Sequence, residues 1–198
     1  MSDLILFENN KFYVSLVCAA NRPDCTPLPP YRAKENELSK LGRYAAGELF
    51  SLFFQKKYGK APANESVLSQ NIKLNDFGKP FSADHPDFHY NISHSGSYAA
   101  AIYCPYANAG IDIQEVRPYN QRVAERCFSP EKNARLALLT GHQQDIEYTR
   151  AWAKKESLAK AAGVGLAHKY DEEKYTLVDL SDLAPEGFVL CVAYERRG

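Results

Sequence analysis

Several features are missing from the 198-residue sequence, and each absence excludes a class of protein. No run approaches 18 apolar residues, so a transmembrane helix is not expected, and Asp3 and Glu8 interrupt the first segment before it could resemble a secretory signal. Basic and acidic residues number 24 each, without the basic excess usual in nucleic-acid-binding proteins. The five cysteines include no CxxC pair of the kind found in zinc sites. We therefore expect a soluble, cytoplasmic protein with reduced thiols that binds neither membrane nor nucleic acid.

The patterns that are present predict an α+β protein. Hydrophobic residues make up 45% of the chain and charged residues 24%, as in ordinary globular proteins. The predicted strands cover residues 3–7, 11–18, 71–75, 88–93, 98–104, 110–116, 175–180 and 187–195. The predicted helices run from Arg32 to Tyr58, near 120–127, from Ser129-Pro130 onward, and from Asp145 to Ala162. Two successive groups of helix and short sheet favour α+β over a regular βαβ alternation.

An aspartate stands between two isoleucines in the segment GIDIQ, residues 110–114. Because side chains alternate along a strand, Asp112 and Gln114 share one face while Ile111 and Ile113 face a core. A carboxylate in that setting is costly unless it is paired, hydrogen-bonded or bound to a metal. The segment alone is explained equally by an aspartate that caps a helix or faces water.

A second candidate is the stripe formed by Trp152, Glu156 and Lys160, which are four residues apart in the predicted helix segment WAKKESLAK. A Glu–Lys pair at this spacing is a common surface pair worth about 0.2–0.5 kcal/mol. Tryptophan usually has one buried end, however, which indicates that the stripe faces protein. Lys155 adds a second ammonium beside Glu156.

A third candidate is the segment NISHSG, residues 91–96, at the end of a predicted strand. Small hydroxyl residues, glycine and histidine there can bind phosphate, although an ordinary turn explains them too. A hydrolase in which His94 activates Ser93 or Ser95 is not supported, because the glycine pattern of a nucleophile elbow is missing and strand neighbours face opposite ways. No Walker or dinucleotide loop is present, since the glycines 163 and 165 follow a helix instead of preceding one.

Together the three segments resemble the 4'-phosphopantetheinyl transferases, particularly the two-lobed Sfp-type branch. The matching segments are GKP at 78–80, NISHSG, GIDIQ and WAKKESLAK, with Arg43, Tyr44 and Gly47 similar to an arginine–glycine helix motif. The resemblance implies two similar α+β lobes related by a pseudo-twofold axis in one monomeric chain, which we assign to residues 1–105 and 106–198. Coenzyme A would bind between the lobes.

The reaction implied by the resemblance transfers the phosphopantetheine arm of coenzyme A to a serine of an apo carrier protein and releases adenosine 3',5'-bisphosphate. Carrier proteins of fatty acid, polyketide or nonribosomal peptide synthesis are the acceptors in the family. Mg²⁺ is the implied cofactor, since a cation held by carboxylates neutralises the charge of a departing phosphate.

The resemblance also implies roles for individual residues. Asp112 and Glu156 would bind the metal, Glu156 or a water that it orients would act as base for the acceptor serine, and Lys160 would stabilise charge on the pyrophosphate. The implied coenzyme A ligands are His94, Ser93, Lys79, Arg43 and Lys160, with Lys155 in second rank. Many relatives have glutamate where this chain has Gln114, so that Gln114 would coordinate through its amide oxygen or leave the position to water.

The alternative from another functional class is a non-catalytic module that binds coenzyme A or a carrier protein with the same fold. The intact set of Asp112, Glu156 and Lys160 favours catalysis, because a binding module has no need of a metal-and-base pair.

Overall fold

The structure is a computed structural model that describes residues 5–8, 11–21, 36–60 and 71–196. Its strands are β1 (Ile5–Glu8), β2 (Tyr13–Cys18), β3 (Ile72–Leu74), β4 (Pro80–Ser82), β5 (His89–Ser95), β6 (Tyr98–Cys104), β7 (Ala109–Glu115), β8 (Tyr175–Asp179) and β9 (Phe188–Glu195). Its α-helices are α1 (Glu37–Tyr58), α2 (Gln121–Cys127), α3 (Pro130–Ala137) and α4 (Gly141–Ala162). The predicted α+β class is confirmed.

The strands of the described residues form three antiparallel sheets. The first has the order β1-β2-β6-β5, the second is the β3-β4 hairpin, and the third has the order β7-β9-β8. Helix α1 packs on β2, β5 and β6, whereas α4 packs on β7 and β9. Each of the two larger sheets is therefore covered by one helix of 22 residues.

Local sequence explains where the long helices begin and end. Helix α1 begins where the side chain of Asn36 accepts a hydrogen bond from Ser39 N at 2.8 Å, and it ends at Gly59, which has φ of 72°. Helix α4 ends in the same way at Gly163, with φ of 71°. Left-handed residues of this kind are normally glycine, because other side chains clash there.

Some predicted boundaries differ from the structure. Helix α1 begins at Glu37 and not at Arg32, and residues 32–35 lie outside the described residues. Helix α4 begins at Gly141, four residues before the predicted start at Asp145. Residues 141–143 are exposed and give no apolar periodicity, so the sequence did not indicate that they are helical. Strand β4 is not among the predicted strands, because proline is tolerated as the first residue of an edge strand but gives no strand signal.

The two largest apolar clusters of the described residues lie around the first sheet. Beneath α1 lies an aromatic cluster that includes Phe50, Phe53, Phe88, Tyr90 and Tyr103. The second cluster joins the first sheet to the third, with aliphatic residues of β2 and β6 packed against those of β7 and β9. No helix of the described residues is both long and apolar enough to cross a membrane. The two clusters leave β5 and β7 as neighbouring strands at the junction of the sheets.

Candidate functional site

A polar seam joins β5 to β7, and we use the word seam for the bonds made by Asn91, Ser93 and Ser95. These side chains of β5 accept hydrogen bonds from backbone amides of β7. The bonds run from Ile111 N to Asn91 Oδ1 at 3.3 Å, from Ile113 N to Ser93 Oγ at 3.2 Å, and from Glu115 N to Ser95 Oγ at 3.0 Å. Side chains thus satisfy β7 amides that would otherwise be unpaired at an edge, which fixes the relative register of the two sheets.

Asp112 lies within this seam and is 1% exposed. Its Oδ1 accepts hydrogen bonds from Lys160 Nζ at 2.6 Å and from Ser93 Oγ at 2.8 Å, and its Oδ2 accepts one from Gln114 Nε2 at 3.0 Å. A buried carboxylate needs such partners, because an unpaired charge away from water is strongly destabilising. As predicted, Asp112 and Gln114 share one face of the strand while Ile111 and Ile113 are fully buried on the other.

Helix α4 approaches β7 at Gly110 more closely than a side chain would allow. A Cβ built on Gly110 would lie 2.1 Å from the carbonyl oxygen of Ser157 and 2.4 Å from the amide nitrogen of Ala161. Most buried residues of α4 in this region are small, namely Ala153, Ser157, Ala159 and Ala161, and Leu158 is the one large exception. Because the two backbones lie so close, Lys160 on the helix reaches the carboxylate of Asp112 on the strand.

A cavity of about 450 Å³, here called the central cavity, opens beside this contact. Residues from both halves of the chain line it. They are Ser39 of α1, residues 77–80 of the β3–β4 hairpin, Asn91, Ile92 and His94 of β5, Glu156, Ala159 and Lys160 of α4, and residues 163–166 after α4. The lining combines ammonium, imidazole and carboxylate groups with backbone of two glycine-containing loops, which suits a ligand with several charged groups.

Two titratable groups that line the cavity, Glu156 and His94, have displaced pKa values. Burial raises the pKa of Glu156 above its ordinary value of 4.5; the nearby ammonium of Lys160 opposes this shift and the carboxylate of Asp112 adds to it. Burial lowers the pKa of His94 below 6.5, and Lys160 lowers it further. His94 is therefore neutral near pH 7 and can donate a hydrogen bond without charge, with Ser39 Oγ lying 3.5 Å from its Nε2.

Lys79 lies in the wall of the central cavity, but its ammonium contacts the protein backbone. Its Nζ donates to the carbonyl oxygens of Ala109 at 3.0 Å and Ala161 at 3.3 Å. Burial lowers the pKa of Lys79 to about 8. Asn75 of the same hairpin donates to the carbonyl of Gly163 at 2.8 Å. The hairpin is thus fastened to the end of α4, and the predicted phosphate contact of Lys79 would require its ammonium to leave two carbonyls.

Other predicted coenzyme A ligands do not line the central cavity. Arg43 lies one turn along α1 from Ser39 but is only 2% exposed. Lys155 is half-buried on α4 next to Glu156, yet it is absent from the lining. Ser93 is 5% exposed, and its hydroxyl is engaged with Asp112 and the Ile113 amide. The geometry thus brings Glu156, Lys160, His94 and the side of Lys79 to the cavity, and leaves Arg43, Lys155 and Ser93 outside it.

The strand predicted over residues 88–93 extends to Ser95 in the structure, so that His94 and Ser95 belong to β5 and not to a turn at its end. β5 continues to Ser95, because His94 and Ser95 still pair with Ala99 and Tyr98 of β6. The polar residues at 91, 93 and 95 therefore share the face of the seam, while His94 points away from it. The regular spacing of these three polar residues in an otherwise apolar strand is the sequence feature that could have predicted another strand beside this face of β5.

The structure adds lining residues that the sequence did not indicate. Ser39 lies one turn before the predicted residue Arg43 in α1, and residues 163–166 follow shortly after the predicted segment that ends at Lys160, but neither was itself predicted to line the site. The glycines 163 and 165 were set aside because they follow a helix, but the loop they form lies against the hairpin of Asn75 and Lys79. Gln114 instead lines a second cavity of about 210 Å³, together with Trp152, Tyr148 and Thr149.

The oxygen donors near Lys160 are the residues that could hold a metal ion. The described part of the chain contains no cluster of three or more histidine, cysteine, aspartate or glutamate residues suited to a metal. Asp112 and Glu156 supply two carboxylates, and the amide oxygen of Gln114 is a third donor of the same hard type. Such a set fits Mg²⁺, which proteins bind through one or two carboxylates while water and substrate phosphate complete the shell.

Comparison with known proteins identifies relatives of the chain. A sequence model of the 4'-phosphopantetheinyl transferase superfamily matches residues 108–195. A 4'-phosphopantetheinyl transferase of Bacillus subtilis is 35% identical over 141 residues, covering 69% of this chain and 59% of the relative. The transferase Sfp of Bacillus subtilis strain 168 is 28% identical over 166 residues, covering 83% of this chain and 68% of Sfp.

A more distant relative is the human L-aminoadipate-semialdehyde dehydrogenase-phosphopantetheinyl transferase, which is 30% identical over 133 residues, covering 61% of this chain and 42% of the human protein. The matched part of the chain spans between about two fifths and two thirds of the length of these relatives.

Proposed function

We propose that the chain is a member of the 4'-phosphopantetheinyl transferase superfamily, in the branch of Sfp, and that it transfers the phosphopantetheine arm of coenzyme A to a serine of an apo carrier protein. One observation carries this proposal. Glu156, Lys160 and His94 line one cavity, and Lys160 is ion-paired with the buried carboxylate of Asp112. The arrangement provides a base, a cation and a neutral hydrogen-bond donor beside a space for a charged ligand.

In this reaction the serine oxygen of the carrier forms a bond to the phosphorus that bears the pantetheine arm. The bond from that phosphorus to the bridging oxygen breaks, and adenosine 3',5'-bisphosphate leaves with the electron pair. Glu156 accepts the serine proton, for which its carboxylate must be ionised. Lys160 lies between Asp112 and the cavity, where its ammonium stabilises the charge that develops on the leaving phosphate.

Asp112, Glu156 and Gln114 are the residues that would hold Mg²⁺. When Mg²⁺ is bound it supplies charge neutralisation of the pyrophosphate. The amide of Gln114 donates to Asp112 in the structure, so ligation by Gln114 requires its amide to turn its oxygen outward. Asp112 would contribute its carboxylate to the metal from the buried side of the site, where Lys160 Nζ lies 2.6 Å from Oδ1.

We also propose that the chain acts as a monomer of two similar lobes, residues 1–105 and 106–198, related by a pseudo-twofold axis. The packing of α1 on the first sheet and of α4 on the third supports this division. The boundary falls between the end of β6 at Cys104 and the start of β7 at Ala109. The central cavity then lies between the lobes, with lining residues from each.

The direct test incubates the chain with coenzyme A, Mg²⁺ and a panel of apo carrier proteins from fatty acid, polyketide and nonribosomal peptide synthesis. Intact-mass spectrometry should show that one carrier gains a single phosphopantetheine arm, and EDTA or Glu156→Ala should abolish the gain. Binding of coenzyme A without transfer to any carrier would favour the non-catalytic module. Absence of coenzyme A binding would contradict the proposal as a whole.

The Gln114→Glu variant tests the proposed metal site. A third carboxylate is a stronger ligand for a hard cation than an amide oxygen, so the Mg²⁺ concentration that gives half-maximal rate should fall several-fold. Titration of the rate with Mg²⁺ at saturating coenzyme A measures this. An unchanged or higher requirement would argue against a cation beside Gln114.

A further inference from the structure

Helix α4 is attached a second time to the chain of β7, beyond the end of the strand. Residues 116–119, which leave β7, lie against the N-terminal half of the helix. Thr149 Oγ1 accepts a hydrogen bond from the Arg117 amide at 3.0 Å, and Asp145 Oδ1 accepts one from the Tyr119 amide at 2.7 Å. Thr149 is 3% exposed, and its hydroxyl donates to the Asp145 carbonyl of its own helix at 2.8 Å. Side chains of α4 thus satisfy backbone amides of the segment that follows the strand.

Thr149 and Asp145 continue the stripe of α4 that carries the candidate site. The members of this stripe are three or four positions apart on one face of the helix, namely Asp145, Thr149, Trp152, Glu156 and Lys160. Along this face the helix runs antiparallel to β7. Lys160 near its end meets Asp112 within the strand, whereas Thr149 nearer its start meets Arg117 beyond the strand.

The two contacts between the helix and the strand are equally spaced on both elements. A helix that rises about 1.5 Å per residue advances about 16 Å from Thr149 to Lys160. An extended chain that rises about 3.3 Å per residue advances about 16 Å from Asp112 to Arg117. Because these spans match, the Thr149–Arg117 bond and the Lys160–Asp112 ion pair hold the helix and the strand in a single register.

This register sets the position of Glu156. Glu156 precedes Lys160 by about 6 Å of helix, which is close to the step of two strand residues from Asp112 to Gln114. Glu156 therefore lies level with Gln114, between the two contacts. The residues that would hold Mg²⁺ come from both elements, so their spacing depends on how the helix lies along the strand.

We propose that Thr149 is a positioning residue of the transferase, which holds Glu156 of the helix at a fixed distance from Asp112 of the strand. The inference rests on the proposed function for its catalytic consequences. The close approach at Gly110 fixes one end of the helix on the strand, but a helix held at one end can still pivot. The bond from the Arg117 amide to Thr149 lies on the other side of Glu156, and two points of attachment fix the direction of the helix.

Of the two attachments beyond the strand, Thr149 is the one nearer to the site. Asp145 lies one turn further from Glu156 and is half-buried, so water competes for its bond, whereas Thr149 is buried. Displacement of a reacting group by about 1 Å can cost about 100-fold in rate, even where the mutation is far from the chemistry. The loss of the Thr149 hydroxyl should therefore be felt at Glu156.

The experiment compares Thr149→Val, which has the same branched shape but no hydroxyl, with Thr149→Ser, which keeps the hydroxyl. Thr149→Val should lower kcat by about 10- to 100-fold and weaken Mg²⁺ binding by about 10-fold. Isothermal titration of Mg²⁺ into the chain saturated with coenzyme A measures the metal affinity without turnover. Thr149→Ser should recover most of both quantities.

The same helix offers a matched control in Ser157. Its side chain is fully buried, and among the described residues its hydroxyl donates only to the Lys154 carbonyl of α4, at 2.9 Å. Ser157→Ala therefore removes a buried hydroxyl from α4 without removing a bond to the chain of β7. Thermal unfolding should show a lower melting temperature for both Thr149→Val and Ser157→Ala, but Ser157→Ala should leave kcat and the affinity for Mg²⁺ unchanged.

Two results would overturn the inference. If Thr149→Val lost stability but kept both kcat and the affinity for Mg²⁺, Thr149 would be merely structural. If the KM for coenzyme A rose while those two quantities were kept, Thr149 would act as a wall of the second cavity and not through the helix. Where Thr149→Val fails to fold, Asp145→Ala removes the neighbouring bond at a half-buried position, and it should show smaller losses of the same two quantities in a folded protein.

Crystal structures of the two Thr149 variants separate this inference from the proposed function. If the wild-type chain transfers nothing to any carrier, the proposed function fails, yet the position of the helix on the strand can still be measured. We expect the carboxylate of Glu156 to move relative to Asp112 by more than about 0.5 Å in Thr149→Val and to keep its place in Thr149→Ser. An unmoved Glu156 in Thr149→Val would contradict the positioning role whatever the activity.

Discussion

Helices α1 and α4 have the same length of 22 residues and the same glycine ending, but they are packed in different ways. The buried face of α1 carries large side chains such as Leu49, Phe50 and Phe53, which fill the aromatic cluster. The buried face of α4 near β7 is made of alanine and serine, opposite a glycine. Large side chains keep a helix at a distance from its sheet, whereas small ones allow close approach.

The comparison shows that packing distance distinguishes the stabilising helix from the one that carries the candidate site. An aromatic layer beneath α1 buries apolar area, which is the main source of stability. At α4 the close approach brings a lysine of the helix to a carboxylate of the strand, 2.6 Å apart. Burial there costs free energy in charge desolvation, so α4 gains precise placement of charged groups where α1 gains hydrophobic stabilisation.

The largest difference in activity is expected between variants of two carboxylates, Glu156 on α4 and Glu48 on α1. Glu156→Gln should lower the rate of transfer by at least about 100-fold, because an amide cannot accept the serine proton. The same variant should not lower the melting temperature, since burial raises the pKa of Glu156 and thereby destabilises its charged form in the folded protein. The matched change in α1, Glu48→Gln, should alter neither quantity.

Parallel measurements of rate and thermal unfolding on these two variants decide the point. A clear fall in the melting temperature of Glu156→Gln together with its loss of activity would mean that the carboxylate is structural, contrary to its proposed role.

The next largest effect is expected from a glycine beneath each helix. Gly110→Ala should destabilise the protein by about 3 kcal/mol, because the new methyl group meets the backbone of α4, which cannot move alone. Gly42→Ala in α1 places its methyl group 2.4 Å from the Cγ2 of Ile92, a side-chain methyl group that can shift more readily than backbone, although the β-branched side chain is stiff. Alanine also favours a helix over glycine by about 1 kcal/mol, so that Gly42→Ala should destabilise the protein less than Gly110→Ala.

Urea unfolding of the two glycine variants tests whether the close approach is specific to α4. If Gly42→Ala were the more damaging of the two, the distinction drawn between the helices would fail.

The smallest effect concerns the lysines near the carboxyl ends of the two helices. Lys57 of α1 is exposed, and a hydrogen bond from its ammonium to Asp87 raises its pKa above 10.5. Burial lowers the pKa of Lys79, at the end of α4, to about 8. NMR detection of the two ammonium groups should therefore show Lys79 losing its proton first as the pH rises, and Lys57 last.

With rising pH, Lys79 and Lys57 should change the free energy of unfolding in opposite directions. Between pH 8 and 10.5 the unfolded chain keeps the Lys79 proton that the folded chain has released, so the free energy of unfolding of the wild type should rise relative to Lys79→Met. Lys57 stabilises the folded state below pH 10.5, and its contribution should be lost as the pH passes its raised pKa. Identical pH profiles for Lys79→Met and the wild type would mean that Lys79 keeps its proton.

The contrast between the helices was only partly predictable from the sequence. Helical periodicity and the terminal glycines 59 and 163 located both helices, since these signals are local. The stripe of Glu156 and Lys160 was also recognisable, as was the alternation that places Asp112 opposite the core. The sequence could not predict how closely α4 packs on β7, because the role of Gly110 and of the alanines of α4 depends on the tertiary contact between the two backbones.

The lining of the central cavity was less predictable for the same reason. Ser39, the hairpin residues 77–80 and the loop 163–166 come together through contacts between distant segments, such as the bond from Asn75 to the Gly163 carbonyl, 88 positions apart. Conversely, Arg43 was expected at the site from the resemblance of its helix to the arginine–glycine motif, but the face of α1 on which it lies is buried. Residue type indicates the chemistry that is available, while tertiary packing decides which groups share a cavity.

The seam between β5 and β7 also determines where the chain can be altered in length. Its three bonds join residues that are 20 positions apart, and each pair advances by two. One residue inserted within 91–95 would turn the following side chains to the opposite face, and all bonds beyond it would be lost. The turn at 105–107 lies between the two strands and takes no part in the seam, so an insertion or a split of the chain there preserves the alignment. For engineering this protein as two complementing fragments, that turn is the place to divide it.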